Sequence, residues 1–296
     1  VRDILAASFQ SAGQRCSALR CLYLQEDVAA HTLEMLYGAM DELALGDPAD
    51  LFNDIGPVID AEAQQGIADY IAAARAEGRV LKEITAPKDG TFIAPTVIKV
   101  RGIADMAREI FGPVLHVATF KSSEIADVVQ AVNATGYGLT FGLHTRIDDR
   151  VQSVVDALQV GNIYVNRNQI GAVVGSQPFG GEGLSGTGPK AGGPEYLHRF
   201  TKPATPAAGT DTHEAIESDI AAALRLDRAT AHPTHTRVLP GPTGESNKLT
   251  AVPRAPLLCL GPSAATALAQ AEAIRALGGH AVEAPGLSPH ALTRLN

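Results

Sequence analysis

The sequence predicts an α/β protein with a mainly parallel sheet, followed by a smaller C-terminal α/β extension. Between residues 18 and 165, apolar strand patterns alternate with helical patterns. This order is typical of parallel strands that helices cover on both faces. A length of 296 residues suits one large domain or two ordinary ones. Beyond Pro203 the composition shifts to Ala, Thr, Pro and Gly, which indicates a linker into a separate piece.

In the first part of the chain, apolar periodicity and stop signals define the elements. Ile4, Leu5 and Phe9 share one helical face, and Gly13 ends that helix. Gly46-Asp47-Pro48 ends a long amphipathic helix, and Gly78 ends another. The predicted elements are a helix over 4–9, a strand over 18–24, helices over 27–45 and 60–77, and extended segments from residue 80 and over 92–100.

The later part of the chain continues the alternation and then loses it in a long loop. We predict strands over 114–120, 139–145 and 161–165, helices over 123–133 and 148–158, a glycine-rich loop over 166–194, and one more strand over 196–201. Loops of that length are usually functional. In the C-terminal piece we expect a helix over 213–226 and a βαβ unit formed by residues 256–260, 264–277 and 281–283.

Charge and hydropathy exclude several classes of partner. The net charge is −8 and basic residues form no long run, so we expect no nucleic-acid partner. No apolar stretch approaches the roughly 18 residues that a membrane span requires, and the first residues lack a signal-peptide pattern. We therefore expect no membrane span and a cytoplasmic location.

Cysteine and histidine spacing indicates neither disulfides nor a metal. The odd number of cysteines (Cys16, Cys21 and Cys259) gives no disulfide framework. The gap between Cys16 and Cys21 is not a usual zinc spacing, and the pair His232 and His235 has no matching ligands nearby. We expect reduced thiols and no metal site.

Cys16 is the candidate nucleophile, because it follows Gly13 where a helix gives way to a strand. Such a junction can expose a sulfur atom while the flanking elements hold it rigidly. The alternative is a buried thiol that fills the core, since cysteine is among the most buried residue types.

Three motifs, in this order, resemble the catalytic half of the aldehyde dehydrogenase superfamily: residues 13–16 (GQRC), 109–114 (EIFGPV), and 178–181 (PFGG) followed by Ser185-Gly186. The resemblance implies that Cys16 attacks the aldehyde, with its backbone N–H as an oxyanion donor, and that NAD is the cofactor. It also implies that Glu109 and Phe111 hold the nicotinamide ribose and ring, and that Phe179 lines the aldehyde pocket. The alternatives are a solvated glutamate, a core phenylalanine and simple loop packing.

Residues 166–181 and 185–197 resemble the substrate-anchoring loop of L-glutamate γ-semialdehyde dehydrogenases, also called 1-pyrroline-5-carboxylate dehydrogenases. The resemblance implies that the substrate's α-carboxylate is held by Ser17 and by the backbone amides of Gly171 and Ala172. A glycine-rich loop suits this role, because main-chain N–H groups can converge on an anion without obstruction by side chains.

Residues 239–247 and 256–260 resemble the C-terminal extension of the longer proline utilisation A proteins, which carry an FAD-dependent proline dehydrogenase ahead of the aldehyde dehydrogenase. The resemblance implies a catalytic domain over 1–194, an oligomerisation strand and linker over 195–206, an extension over 207–296, and a homo-oligomer. It also implies that FAD, the general base, the oxyanion asparagine and the NAD-binding half belong to upstream sequence. We then expect the isolated chain to be inactive.

Other interpretations stay open at this stage. The chain could act as a non-catalytic structural and oligomerisation module, or it could belong to a dehydrogenase for another aldehyde. A cysteine hydrolase with His31 or His116 as the base is less consistent with the sequence, since neither lies in a recognisable partner pattern. Three cations, Arg15, Lys82 and Lys190, are candidates to favour the Cys16 thiolate.

Overall fold

A four-stranded sheet organises the N-terminal part of the computed structural model, which describes residues 1–186, 188–201, 217–228, 235–252, 256–276, 279–287 and 289–292. The four strands are β1 (Cys21–Gln25), β2 (Val80–Glu83), β3 (Thr96–Lys99) and β4 (Val114–Phe120). Their spatial order is β1-β4-β3-β2. Strands β1 and β3 both run parallel to β4, and β2 pairs antiparallel with β3 at one edge. The predicted mainly parallel sheet is therefore confirmed.

The two central strands form the core of this sheet. Val97, Ile98, Leu115 and His116 are completely buried. Parallel strands covered on both faces are expected to carry such continuous apolar runs. His116 is the polar exception, and its hydrogen bonds are described with the site below.

Three helices accompany the sheet: α1 (Arg2–Phe9), α2 (Glu26–Asp41) and α3 (Ala61–Ala76). The Asp60 carboxylate caps α3 by accepting a hydrogen bond from the Ala63 N–H at 2.8 Å. Gly78 follows α3 with a left-handed φ of 68°. Helix α2 ends earlier than predicted, and Leu45 instead forms a parallel bridge with Ile55.

The alternation continues through α4 (Ile125–Ala134), β5 (Tyr137–Gly138), β6 (Thr140–Leu143), α5 (Asp148–Ala157), β7 (Asn162–Val165) and β8 (Glu182–Gly183). Strands β6 and β7 are parallel, as predicted, while β5 and β8 form a short antiparallel pair. Apart from β8, the described residues of 166–194 form no regular element. That part of the sequence prediction is also confirmed.

The predicted strand over 196–201 is wrong in this chain, because Tyr196–Phe200 forms a 3-10 helix. Local bonds favour the helical turn: Tyr196 N–H donates to the Gly193 carbonyl at 3.2 Å, and Thr201 N–H donates to the His198 carbonyl at 3.2 Å. These two N–H groups are therefore not available to a strand ladder. Association through residues 195–206 stays a prediction.

The chain divides into two compact units, Val1–Tyr196 and Leu197–Asn296. The elements of the second unit are α6 (Glu217–Arg228), β9 (His235–Leu239), β10 (Asn247–Ala251), β11 (Leu257–Cys259), α7 (Ala264–Ala276), β12 (Ala281–Glu283) and α8 (Pro289–Leu292). The parallel strands β11 and β12 are joined through helix α7, which confirms the predicted βαβ unit. The antiparallel hairpin of β9 and β10 was not predicted, because those strands are largely exposed and lack an apolar pattern. The expected start of the first helix, residues 213–216, lies outside the described residues.

The described residues contain neither a candidate membrane span nor a candidate metal cluster. No helix there has the length and hydropathy needed to cross a bilayer. No group of three or more His, Cys, Asp and Glu side chains in these residues is arranged to hold a metal ion.

Candidate active site

The segment before Cys16 has an unusual backbone. After α1, the residues Ser11, Ala12 and Gly13 all adopt left-handed conformations, with φ of 56°, 51° and 66°. A left-handed conformation costs a non-glycine residue about 1–2 kcal/mol. Strain of this kind concentrates at functional sites and persists only where the surroundings enforce it. The helix-to-strand junction predicted from Gly13 is therefore present, and it includes two strained residues.

Cys16 lies in a tight turn that exposes it. The Ala18 N–H donates to the Arg15 carbonyl at 3.0 Å and closes a turn with Cys16 and Ser17 at its centre. Of the free cysteines, Cys16 is exposed, Cys21 is partly buried and Cys259 is buried. Burial raises the pKa of the Cys21 thiol to about 12. The alternative that Cys16 fills the core is thus excluded.

Gly13 brings the cysteine motif against the second motif. A β-carbon on Gly13 would lie 2.2 Å from the Gly112 carbonyl oxygen, which no real side chain could tolerate. The same site also requires a positive φ, so only glycine fits it. Residues 13–16 and 109–114, nearly a hundred positions apart, are consequently neighbours.

The Arg20 guanidinium joins these two motifs, and sequence reasoning did not single it out. Its Nη1 donates to the Gly13 carbonyl at 2.6 Å, and its Nη2 donates to the Arg15 carbonyl at 3.1 Å. Its Nε donates to Glu109 Oε1 at 2.9 Å. Its central carbon lies 4.8 Å from the centre of the Phe111 ring. An arginine at the start of a strand carries no motif, so only the packing reveals this role.

Glu109 and Phe111 are both exposed, although Arg20 contacts both. The Glu109 side chain is 54% exposed and only its Oε1 bonds Arg20. Phe111 is 45% exposed while the guanidinium covers part of its ring. The interpretation of Phe111 as a core residue is therefore wrong. An exposed carboxylate beside an exposed aromatic ring suits hydroxyl donors and a planar ring such as those of a nicotinamide riboside.

Gln169 links the glycine-rich loop to the residue after the nucleophile. Its Nε2 donates to the Ser17 carbonyl at 3.1 Å, and Thr140 Oγ1 donates to the same oxygen at 3.5 Å. Both Ser17 and Gln169 are buried. The predicted anchor loop thus reaches Ser17, through a glutamine that sequence reasoning did not select.

The remaining predicted substrate residues lie further along this loop. Gly171 is exposed with φ of 77°, and Ala172 is partly buried. Gln177 braces the segment after them by accepting a hydrogen bond from the Val173 N–H at 3.2 Å. Phe179 pairs with Ala191 across an antiparallel bridge. The roles of Gly171, Ala172 and Phe179 in substrate binding stay predictions.

The three cations proposed for the thiolate are engaged elsewhere. Arg15 Nε donates to Ser11 Oγ at 3.1 Å, and Lys82 pairs with Asp41 at 2.5 Å. Lys190 Nζ donates to the carbonyls of Gly161 and Gly180 at 2.5 and 2.6 Å. Burial lowers the pKa of Lys190, and nearby Glu182 opposes that shift. Arg20, in contrast, interacts electrostatically with Cys16. Burial lowers the pKa of Arg20, and Glu109 raises it.

His116 is unsuited to act as a base for Cys16. Its Nδ1 bonds the Arg20 carbonyl at 2.9 Å and its Nε2 bonds Tyr70 Oη at 2.8 Å. Because a carbonyl only accepts, Nδ1 carries the proton and Nε2 accepts from the tyrosine hydroxyl. Burial lowers the pKa of His116, and Arg79 and Arg20 lower it further, while the bond to the Arg20 carbonyl raises it. The cysteine hydrolase interpretation loses its buried candidate base.

Comparison with known proteins adds independent information. Residues 1–205 match the model of the aldehyde dehydrogenase family. The bifunctional protein PutA of Klebsiella aerogenes is 46% identical over an alignment of 313 residues, which covers 94% of this chain and 24% of that protein. A 1-pyrroline-5-carboxylate dehydrogenase of Bacillus cereus is 40% identical over 201 residues, covering 66% of this chain and 38% of the relative.

Solved structures agree with these sequence matches. A Bradyrhizobium japonicum proline utilization A (PutA) mutant superposes with a TM-score of 0.65 at 52% identity, covering 67% of this chain and 20% of that one. A 1-pyrroline-5-carboxylate dehydrogenase from Thermus with bound NAD has a TM-score of 0.62 at 37% identity, covering 67% of this chain and 39% of that one. The chain spans about a quarter of the length of the PutA proteins that it matches.

Proposed function

Because the chain belongs to the aldehyde dehydrogenase family, we propose that it carries the nucleophile of an NAD-dependent dehydrogenase that oxidises L-glutamate γ-semialdehyde to L-glutamate. One observation carries the proposal. The exposed thiol of Cys16 lies on a strained turn, and the arginine that holds this turn also holds Glu109 and Phe111.

Cys16 performs the covalent chemistry. Its thiolate attacks the aldehyde carbon, and the carbonyl electron pair moves to oxygen to give a thiohemiacetal oxyanion. Among the described residues, the Cys16 N–H donates to no acceptor, so it is available to this oxyanion. Collapse of the oxyanion would release hydride to NAD, when it is bound, and leave a thioester. Water would then hydrolyse the thioester to the carboxylate, with one proton restoring the thiol and the other leaving to solvent.

The residues around Phe111 fit the nicotinamide end of NAD, which when bound accepts the hydride. The Phe111 ring offers an exposed apolar surface, and the second carboxylate oxygen of Glu109 offers an acceptor for a ribose hydroxyl. We assign both residues to cofactor binding, at the nicotinamide riboside.

The glycine-rich loop recognises the other end of the substrate. Ser17, with the backbone amides of Gly171 and Ala172, holds the α-carboxylate, and Phe179 lines the aldehyde pocket. Gln169 supports this assignment, since its hydrogen bond to the Ser17 carbonyl keeps the loop against the residue after the nucleophile. A site that holds a carboxylate at one end and an aldehyde at the other suits glutamate semialdehyde and disfavours aldehydes without a carboxylate.

The proposal is tested by NAD reduction in the complete gene product that contains these residues. Glutamate semialdehyde is compared with butanal, which has the same aldehyde chain without the α-amino and α-carboxylate groups. We expect Cys16→Ala to abolish turnover and Cys21→Ala, the matched control, to retain it. An active Cys16→Ala protein would overturn the nucleophile assignment, and equal kcat/KM values for the two aldehydes would overturn the substrate assignment.

We also propose that the gene product forms a homo-oligomer through residues 195–206. Two apolar side chains of this segment support the proposal, because Leu197 and Phe200 are about three-quarters exposed. Sedimentation velocity of a protein shortened after residue 203, compared with a double Leu197→Ser and Phe200→Ser variant, tests it. The shortened protein keeps residues 195–203, so unchanged association of the double variant would refute a role for this segment.

A further inference from the structure

Arg20 is placed to do more than stabilise the fold. We infer that Arg20 is a positioning residue that holds the cofactor residues Glu109 and Phe111 in register with the Cys16 turn. The inference rests on the proposed function, because it assigns Glu109 and Phe111 to the cofactor. It assigns Arg20 no contact with substrate or cofactor.

All three nitrogens of the Arg20 guanidinium donate hydrogen bonds. Nη1 and Nη2 bind carbonyls on the cysteine side, those of Gly13 and Arg15, whereas Nε binds the Glu109 carboxylate. Nη1 also lies 3.4 Å from the Gly112 carbonyl oxygen. The side chain is only 12% exposed. Each nitrogen therefore has an acceptor, in a planar arrangement that a lysine ammonium cannot reproduce.

The contacts with Arg20 restrict the conformations of the Glu109 and Phe111 side chains before any ligand binds. The ion pair holds one oxygen of the Glu109 carboxylate, while the Glu109 side chain stays 54% exposed. The guanidinium against Phe111 restrains the ring while 45% of that residue stays exposed. Binding groups that are ordered in advance avoid an entropy cost when the ligand binds.

The backbone of Arg20 is itself anchored in the sheet. Its carbonyl accepts hydrogen bonds from the His116 ring at 2.9 Å and from the His116 backbone N–H at 3.0 Å. Arg20 also directly precedes β1, which pairs with β4 from Cys21 opposite His116. The guanidinium thus fixes two loops, residues 11–16 and 109–113, to the core of the sheet.

The first test is kinetic and uses the complete gene product with Arg20→Lys, Glu109→Gln and the double variant. Arg101→Lys is the matched control, because the Arg101 side chain is 92% exposed and pairs with Asp105 at the surface. We expect Arg20→Lys to raise the KM for NAD at least tenfold while the KM for the aldehyde changes less than twofold. In the Arg20→Lys background, Glu109→Gln should raise the KM for NAD little further, since both changes break the same ion pair.

A second measurement does not depend on catalysis. In amide hydrogen exchange of the complete gene product, Arg20→Lys should accelerate exchange in both 11–16 and 109–113, and Arg101→Lys in neither. An unchanged KM for NAD, additive effects of Arg20→Lys and Glu109→Gln, or unchanged exchange in either segment would overturn the inference. Absence of NAD-dependent oxidation in the wild-type gene product would overturn the proposed function instead, and the exchange result would still decide whether Arg20 positions the two segments.

Discussion

Gly13 and Gly112 approach so closely that a β-carbon on Gly13 would lie 2.2 Å from the Gly112 carbonyl oxygen. This contact joins the cysteine motif to the segment that carries Glu109 and Phe111. The Arg20 guanidinium bonds the Gly13 carbonyl beside it. The approach of two backbones is therefore the structural basis of the proposed site.

Replacement of Gly13 by alanine should destabilise the first unit strongly. The positive φ of 66° costs alanine about 1–2 kcal/mol, and the overlap with Gly112 adds about 1–3 kcal/mol. Each kcal/mol lowers Tm by about 2–4 °C in a domain of this size. Gly78→Ala is the matched control, because Gly78 has a φ of 68° but no atom near its missing β-carbon. Thermal unfolding that ranks Gly78→Ala as equally damaging would contradict the close contact.

Alkylation should distinguish the three thiols. At pH 8, a Cys21 thiol with a pKa of about 12 is a thiolate in about one molecule in 10,000. Burial also protects Cys259 and raises its pKa. We expect iodoacetamide to modify Cys16 first, as measured by peptide mass spectrometry over time. Labelling of Cys21 or Cys259 at the same rate as Cys16 would contradict the exposed turn.

Replacement of Gln169 by methionine should loosen the substrate loop without leaving a cavity. The buried Ser17 carbonyl would keep only the 3.5 Å bond from Thr140. A poorly paired buried acceptor costs about 1–3 kcal/mol, which corresponds to a roughly 5- to 150-fold higher KM for glutamate semialdehyde. The KM for butanal should change much less. The control is Gln65→Met, which removes only an exposed bond to Asp69. If both aldehydes respond equally to Gln169→Met, the loop does not read the carboxylate.

His116 should make stability depend on pH. Its pKa in the folded protein lies below 6.5, so below pH 6.5 the unfolded state binds a proton that the folded state does not. Stability is then complete above pH 6.5 and falls as the pH drops from there. In urea unfolding, His116→Gln should be less stable by about 1–3 kcal/mol at pH 7 and should lose less on acidification. Equal slopes in both proteins would show that another group controls the pH dependence.

A control variant separates this effect from the loss of any imidazole. His31 lies on the exposed side of α2. We expect His31→Gln to change the free energy of unfolding by less than about 0.5 kcal/mol at pH 7.

Sequence reasoning predicted most of the elements in the first unit and the βαβ unit of the second, because their signals are local. The stop at Gly78, the apolar run of β4 and the parallel βαβ unit of the C-terminal piece are all present. It was wrong for residues 196–201, where turn bonds to Gly193 and His198 replace a strand ladder. It missed the exposed hairpin of β9 and β10, whose polar strands carry no periodic apolar signal.

The identity and order of the three motifs were enough to select Cys16, Glu109 and Phe111 as candidates. How these residues are held could not be predicted, because the contacts that hold them join positions far apart in the chain. The Gly13 and Gly112 backbones meet, Arg20 reaches Glu109, and Gln169 reaches Ser17. Arginine and glutamine occur on most protein surfaces, so their types alone indicate no role. Their burial against specific carbonyls, which packing alone creates, gives them one.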